Sequence, residues 1–426
     1  MHTAMNGSYL AGNALGRYSL PDEVALTVAR GEGPWFWSTD GRRFADYLMG
    51  AGPMVLGHAH PRVVSAIAEQ AAKGTHYYLV NEPARELAAT ICRLVPCAES
   101  VRFCSDGTEA NFYALRLARA FTRRTKILKF DGAFHGQSDY ALQSLCADPS
   151  QNDQRAVPES AGIPLELSDS VLIAPYNDIE RTRQIAQPVA DEIAAILVEP
   201  VQRAFMSAPG FLEGLRMLAD SIGALLVFDE VVTGFRLALG GAQEYFGVTP
   251  DLCALGKILG GGLPLAAVAG RAEILELAIA GRADDGRSAF ISGTLNGNPL
   301  SCVAGLATLA VVEDLQAPAK LREKGETLAA ALHEIAERLA VPFQMIGHPA
   351  VQRVVFGAGQ IDSQETLAAC RQDAADRFGI EMIRRGVFCS PFKVYMSVAH
   401  TDETHALFFE AAEGAMRTLR DQGLLG

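Results

Sequence analysis

The sequence predicts an α/β fold: a mostly parallel sheet of about seven strands with flanking helices, followed by a smaller α+β domain at the C-terminal end. Three observations predict it. Between residues 60 and 300, short apolar runs alternate with longer amphipathic segments, the rhythm of βαβ units. Several of those runs are continuously apolar, as strands covered by helices on both faces must be. After residue 300 the rhythm gives way to long helical segments around one alternating stretch. A chain of 426 residues, 49% hydrophobic and 20% charged, has core material for two or three domains.

Taken in order, residues 1–50 hold Pro21, Pro34 and a Trp35-Phe36-Trp37 cluster. They are too few for a domain and are assigned as an N-terminal segment packing on the C-terminal part. Residues 51–300 form the large domain, with strands expected at Val101–Cys104, Lys126–Phe130, Val171–Ala174, Ala195–Val198, Leu225–Phe228, Leu252–Leu255 and Leu265–Ala269. Helices are expected at Glu109–Phe121, Gly210–Ser221 and Arg271–Ala280. Polar Asp148–Ser168, with its prolines, reads as a lid because so long a loop inside a compact domain needs a function. Residues 301–426 form the small domain. Leu300–Leu315 and Leu321–Leu339 are helical, Val341–Phe356 is a strand or hairpin, and Ser363–Arg385 and Thr401–Gln422 are helical again.

The charge balance excludes whole classes of function. A net charge of −12 repels polyanions, so neither nucleic acid nor an anionic membrane is an expected partner. The longest apolar stretch, near residues 252–270, is interrupted by Lys257, Pro264 and five glycines and fails as a membrane span. The start of the chain shows no basic segment followed by an apolar one, and a cytoplasmic protein is expected. The eight cysteines are scattered without a C-x-x-C pair and the nine histidines form no ligand cluster, so neither disulfides nor a metal is expected.

Ligands of open parallel sheets bind at the carboxyl ends of the strands. Reading only those ends isolates Ser105-Asp106-Gly107-Thr108, Asp131 to Gly136, Glu199-Pro200-Val201-Gln202, Asp229-Glu230-Val231 and Gly256-Lys257. Ser105 to Thr108 open a helix, whose N–H groups and dipole form an anion site where glycine admits close approach. An ordinary helix cap would use the same residues. Asp229 ends a buried strand, where a carboxylate needs a cation or donor, although a strand-end cap would also place it there. Lys257 lies among apolar residues and glycines, and the desolvation that makes it a poor structural residue makes its amine nucleophilic. An anion site, a carboxylate, an aromatic and a buried lysine together match pyridoxal phosphate (PLP), through its phosphate, pyridine nitrogen, ring face and aldehyde.

Longer motifs carry a resemblance. Leu56-Gly57-His58-Ala59-His60-Pro61, Gly107-Thr108-Glu109-Ala110-Asn111, Phe134-His135-Gly136, Pro175-Tyr176-Asn177-Asp178, Val227 to Arg236, Phe246 to Leu252, Gly256-Lys257 with Gly260 to Pro264, and Gly293 to Pro299 resemble class III PLP-dependent aminotransferases. Within that class the chain is most similar to the glutamate-1-semialdehyde aminomutase branch, over roughly residues 30–310. The resemblance implies a fold-type I transferase, a homodimer with shared active sites, and a set of roles. Lys257 would hold the PLP aldehyde and then shuttle a proton, while Asp229 would pair with the pyridine nitrogen. Phe134 and Val231 would cover the ring faces, with His135 beside them. Gly107, Thr108 and Ser105 would bind phosphate, with Thr294 reaching in from the neighbouring subunit. Gln202 would meet the ring hydroxyl, and Glu199 would stand behind.

Two departures bear on the reaction. Asp106 stands where relatives carry a serine facing the phosphate, so it is expected to turn away as a cap. The aminomutase pattern carries a glutamate shortly before its Phe-Met-Ser-like segment, where this chain has Phe392 or Lys393. The expected function is therefore an aminotransferase working by a ping-pong mechanism on a small-molecule amino donor and an oxo acceptor. The alternative is a 1,2-aminomutase acting on a semialdehyde, and a remote one is an inactive binding protein of the same fold. An amino acid substrate needs a cation for its carboxylate, for which Arg17 and Arg203 are the candidates. Arg236 is assigned to framework ion pairing. Trp35, Trp37, Tyr77, Tyr78 and Tyr395 are candidate pocket aromatics.

Overall fold

The computed structural model describes residues 20–145, 156–279, 286–390 and 393–425, with residues 9, 10, 12, 14 and 15 before them. At its centre is a seven-stranded sheet in the order Ser100–Cys104, Ala266–Gly270, Leu252–Leu255, Leu225–Glu230, Ile193–Val198, Lys126–Phe130, Val171–Ala174. Ala266–Gly270 runs antiparallel to both of its neighbours, and the other pairings are parallel. The α/β fold class is the observed one. Ile193–Val198 and Leu225–Glu230 are buried at every residue, which is why they read as unbroken apolar runs.

Successive side chains leave a strand on opposite faces. Leu225 and Val227 accordingly pack into one cluster with Ala110, Ala114, Leu117 and Ala118 of the helix Gly107–Thr122. Leu226 and Phe228 enter the other cluster, with Leu215 of the helix Phe211–Ile222 and Leu309 of Pro299–Asp314. This alternation sends Asp229 toward Gly107–Thr122 and Glu230 the other way. Glu230 is satisfied there by the N–H groups of Ala242 and Gln243 and by the Thr233 hydroxyl.

The helix expected at Arg271–Ala280 is shorter. It makes one turn at Ala272–Leu275 and tightens at Glu276–Ala278. The Leu277 carbonyl takes the N–H of Ala289 at 2.8 Å, so a distant strand of chain replaces the next helical donor. Val341–Phe356 is a hairpin, Phe343–His348 against Val351–Phe356, and the latter also pairs with Val394–Tyr395. Ser363–Arg385 divides into Gln364–Ala368 and Gln372–Arg384. Asp402–Asp421 starts with a capping box of Thr401 and Thr404. Near the N-terminus, Val28–Glu32, Trp35–Ser38 and Arg43–Asp46 make a small sheet completed by Val387–Phe388, with Phe36, Phe44 and Ile383 packed in one cluster.

The opening part of the proposed lid lies outside the described residues. The rest folds back on the loop before it, where the Ser168 hydroxyl donates to Gln143 Oε1 at 3.0 Å. Among the described residues no single helix is long and apolar enough to cross a membrane.

Candidate active site

At the carboxyl edge of the large sheet lies a cavity of about 380 Å³. Its lining brings Gly107, Thr108, Phe134, Glu199, Arg203, Asp229, Val231 and Lys257 together from across the sequence. Asp106 caps the helix Gly107–Thr122 by accepting the Glu109 N–H at 2.9 Å, and Glu109 accepts the Ser105 N–H at 2.7 Å. The first-turn N–H groups of Gly107 and Thr108, which have no acceptor within a helix, are thereby left at the cavity. A Cβ on Gly107 would come within 3.0 Å of Val231, so only glycine lets that side chain press so close.

Asp229 is gripped from three sides. Its Oδ2 accepts Asn111 Nδ2 at 2.8 Å and meets His135 Nδ1 at 2.9 Å, while Oδ1 accepts the Val231 N–H at 3.1 Å. Lys257 follows the strand Leu252–Leu255 at φ +49°, a backbone region that favours glycine. Burial holds its ammonium below the usual proton affinity. Tyr395 and Asp229 oppose that effect, and the Lys393 and Arg236 cations add to it. Phe134, half exposed in the lining, donates its N–H to Glu199 at 3.1 Å.

The remaining candidates stand elsewhere. His135 is fully buried behind Asp229, and its Nε2 has no hydrogen-bond partner among the described residues. Gln202 is fully buried and donates to the Asp131 carbonyl at 2.7 Å, and its Oε1 has no partner among the described residues. Ser105 stays outside the lining, and Arg17 lies outside the described residues. Thr294 lies in a separate surface groove with Tyr78, Leu79 and Val80. Arg236 is a framework residue, but its contacts differ from the expected ion pair. It bonds the Gly52, Val232 and Met396 carbonyls under the Tyr395 ring. Trp35 and Trp37 lie under Arg43 and Arg30 rather than in the cavity.

Sequence reasoning passed over Asn111, Arg353 and the cavity position of Lys393. Asn111 was detectable as a polar residue on the apolar face of its helix. Arg353 and Lys393 come from elements whose patterns reveal nothing about the large sheet.

These residues fit PLP on three counts. Orphaned helix N–H groups suit a phosphate, and a fixed carboxylate suits a pyridinium. A buried amine of lowered proton affinity suits an aldehyde. Comparison with known proteins decides the family. The sequence pattern of the family described as Aminotransferase class-III matches residues 19–361. This chain belongs to the class-III aminotransferase family. The glutamate-1-semialdehyde 2,1-aminomutase of Roseiflexus castenholzii is 42% identical over 417 residues, spanning 94% of this chain and 92% of its own. An omega-transaminase from Sphaerobacter thermophilus superposes with a TM-score of 0.86 at 32% identity, covering 93% of this chain and 91% of its own. A transaminase solved with PLP bound superposes with a TM-score of 0.83 at 26% identity, covering 93% and 92%. The fold is that of PLP-dependent transaminases, and the cofactor of this member of the class-III family is PLP.

Proposed function

We propose that this class-III enzyme moves an amino group on small carboxylate-bearing molecules, using PLP held in the cavity between residues 51–300 and 301–426. The observation that carries the reading is one cavity lined by Lys257, Asp229 and the first turn of Gly107–Thr122. Bound PLP supplies an aldehyde that takes up amines and a ring that accommodates the electron pair left when the substrate carbon loses its proton. Lys257 Nζ anchors the cofactor and, once released, carries that proton on and off the carbon. Asp229 keeps a proton on the ring nitrogen, and Asn111, His135 and the Val231 N–H aim its oxygens. Gly107 and Thr108 hold the phosphate, with Ser105 in support. Phe134 and Val231 cover the ring faces, Gln202 meets the ring hydroxyl and Glu199 fixes Phe134.

The relatives' names favour one form of the reaction, an intramolecular 2,1-aminomutase acting on a semialdehyde such as glutamate 1-semialdehyde. One observation favours the other form, ping-pong transfer between a donor and an oxo acceptor. Phe392 or Lys393 stands where the aminomutase pattern carries a glutamate, and Lys393 lines the cavity. The enzyme works as a homodimer in this reading. Thr294 is exposed beside Tyr78, Leu79 and Val80, which are 71%, 75% and 76% exposed, and a second copy covering that groove would receive Thr294 at its phosphate site.

The test is the visible spectrum of the PLP-loaded protein as amino compounds are added singly without an acceptor. Bleaching to the pyridoxamine form with one equivalent of oxo product establishes ping-pong transfer. A response confined to semialdehydes or diamino compounds, without release of an oxo product, establishes the aminomutase. Silence toward every amine removes the reading.

A further inference from the structure

A second cavity, of about 440 Å³, opens between the helices Ala317–Leu339 and Asp402–Asp421 and shares no lining residue with the cofactor site. Lys320, Glu323 and Lys324 come to it from the first helix and Asp402, His405 and Phe409 from the second, at the three- and four-residue spacing that puts side chains on one stripe. A stripe that faces a neighbouring helix is ordinarily apolar, and these two are charged.

Two ammonium groups and two carboxylates therefore stand around one cleft, and among the described residues none of the four forms an ion pair. Lys320 and Lys324, four residues apart on one helix, repel each other until an anion joins them. Lys324 Nζ donates to the His400 carbonyl at 2.6 Å, which fixes its position without neutralising its charge. Asp402 stands in the first turn of its helix, where the dipole favours a carboxylate. The His405 and Phe409 rings meet edge to face with centres 6.1 Å apart. His405 is only 8% exposed, yet its Nδ1 has no hydrogen-bond partner among the described residues, which is costly for a buried polar atom. Burial and the Lys324 cation hold its imidazole below the usual proton affinity, with Asp402 opposing.

A chain of contacts joins this cleft to the cofactor cavity. The His405 ring lies edge-on to Tyr47 and His400 at 6.1 and 6.2 Å, and Tyr47 stacks on His400 at 4.0 Å. The Tyr47 carbonyl accepts the Tyr395 N–H at 2.8 Å, and Tyr395 and Leu48 line the cofactor cavity.

We infer that this cleft is a second ligand site, for a free α-amino acid with an aromatic side chain, and that its occupancy is coupled to that of the cofactor cavity. Such a molecule carries on one carbon both charges that the cleft holds unpaired. Its carboxylate joins Lys320 and Lys324, its ammonium joins Asp402 and Glu323, and its ring packs against Phe409 and His405.

The test keeps the cofactor from reacting with the probes. The PLP-loaded enzyme is reduced with borohydride, which removes the aldehyde function, and calorimetry compares L-phenylalanine with 3-phenylpropionate and 2-phenylethylamine, which lack the ammonium and the carboxylate respectively. L-Phenylalanine binds one site at least about 3-fold more tightly than either. Lys320→Met weakens L-phenylalanine and 3-phenylpropionate by about 3- to 10-fold and leaves 2-phenylethylamine unchanged. Asp402→Asn weakens L-phenylalanine and 2-phenylethylamine by a similar factor and does not weaken 3-phenylpropionate. Coupling is read by reciprocity, as an affinity for L-phenylalanine that differs at least about 3-fold between the PLP-free and the reduced PLP-loaded protein. No binding, equal affinity for the three probes, or an L-phenylalanine affinity untouched in both variants overturns the site. Equal affinity in the two cofactor states overturns the coupling. None of these outcomes depends on whether the loaded enzyme transfers amino groups.

Discussion

Lys129 offers the most direct link between fold stability and the proposed cofactor site, and Lys129→Met is the perturbation that exposes it. The side chain is fully buried, and its Nζ donates to the carbonyls of Ala133, Ala141 and Gln143 at 3.1, 2.8 and 2.6 Å. The loop carrying Phe134, His135 and Gly136 is thus wound around one ammonium. Burial brings that ammonium from 10.5 down to about 8, a charge-burial cost of roughly 3 kcal/mol at neutral pH. Methionine keeps the apolar stem and removes that cost, but it strips a donor from three buried carbonyls at about 2 kcal/mol each. The net loss is about 3 kcal/mol. The folded protein releases the Lys129 proton at lower pH than the unfolded chain does. The native protein therefore gains stability from this group as pH rises from about 8 to 10.5, and the variant does not. The gap between them widens with pH by up to about 3 kcal/mol. Urea unfolding of both PLP-loaded proteins across that range measures the gap, and a PLP titration reads the loosened Phe134 loop as an affinity loss of about 10-fold. An unchanged midpoint, or a gap that narrows as pH rises, would refute the claim that the ammonium ties the loop.

Three further outcomes follow from the cavity. Lys257→Ala retains PLP non-covalently, separable by gel filtration, and abolishes turnover; substantial residual amino transfer in that variant removes Lys257 from its role. Asp229→Asn exchanges a charge-assisted contact for a neutral one, lowering kcat by about 10- to 100-fold with PLP still bound, whereas a near-native rate would mean that the carboxylate only supports the fold. Gly136→Ala adds a Cβ within 2.6 Å of Thr108 Cα at a position of φ +90°, so the phosphate-side backbone must shift. The expected result is weaker PLP binding, and unaltered PLP affinity would place Gly136 outside the cofactor cradle.

What the sequence made legible follows from how each residue is constrained. Strands such as Ile193–Val198 and Leu225–Glu230 are apolar because helices cover both faces, so the covering is written into each strand by itself. The polar residue ending such a run is conspicuous for the same reason, which makes Asp229 and Lys257 legible without their neighbours. Asp106 is equally local: a carboxylate at a helix start caps it unless something stronger competes. Arg353 and Lys393 belong to the opposite case. Arg353 sits on a strand in which it is the only half-buried residue among buried ones, a pattern that an edge or a surface would equally produce. It acquires meaning only when that strand is laid against the end of the large sheet, a juxtaposition no local pattern encodes. Lys129 was hidden differently. A lysine in Lys126–Phe130 reads as a residue reaching for solvent, because burying an ammonium is costly, and the three carbonyls of the returning loop together with the Glu199, Asp131 and Glu159 carboxylates make its burial tolerable. Thr294 extends the argument past the single chain. Within one copy it faces a groove of exposed Tyr78, Leu79 and Val80 rather than the Lys257 cavity, so any part it plays at a cofactor phosphate requires a second copy to bring the two together.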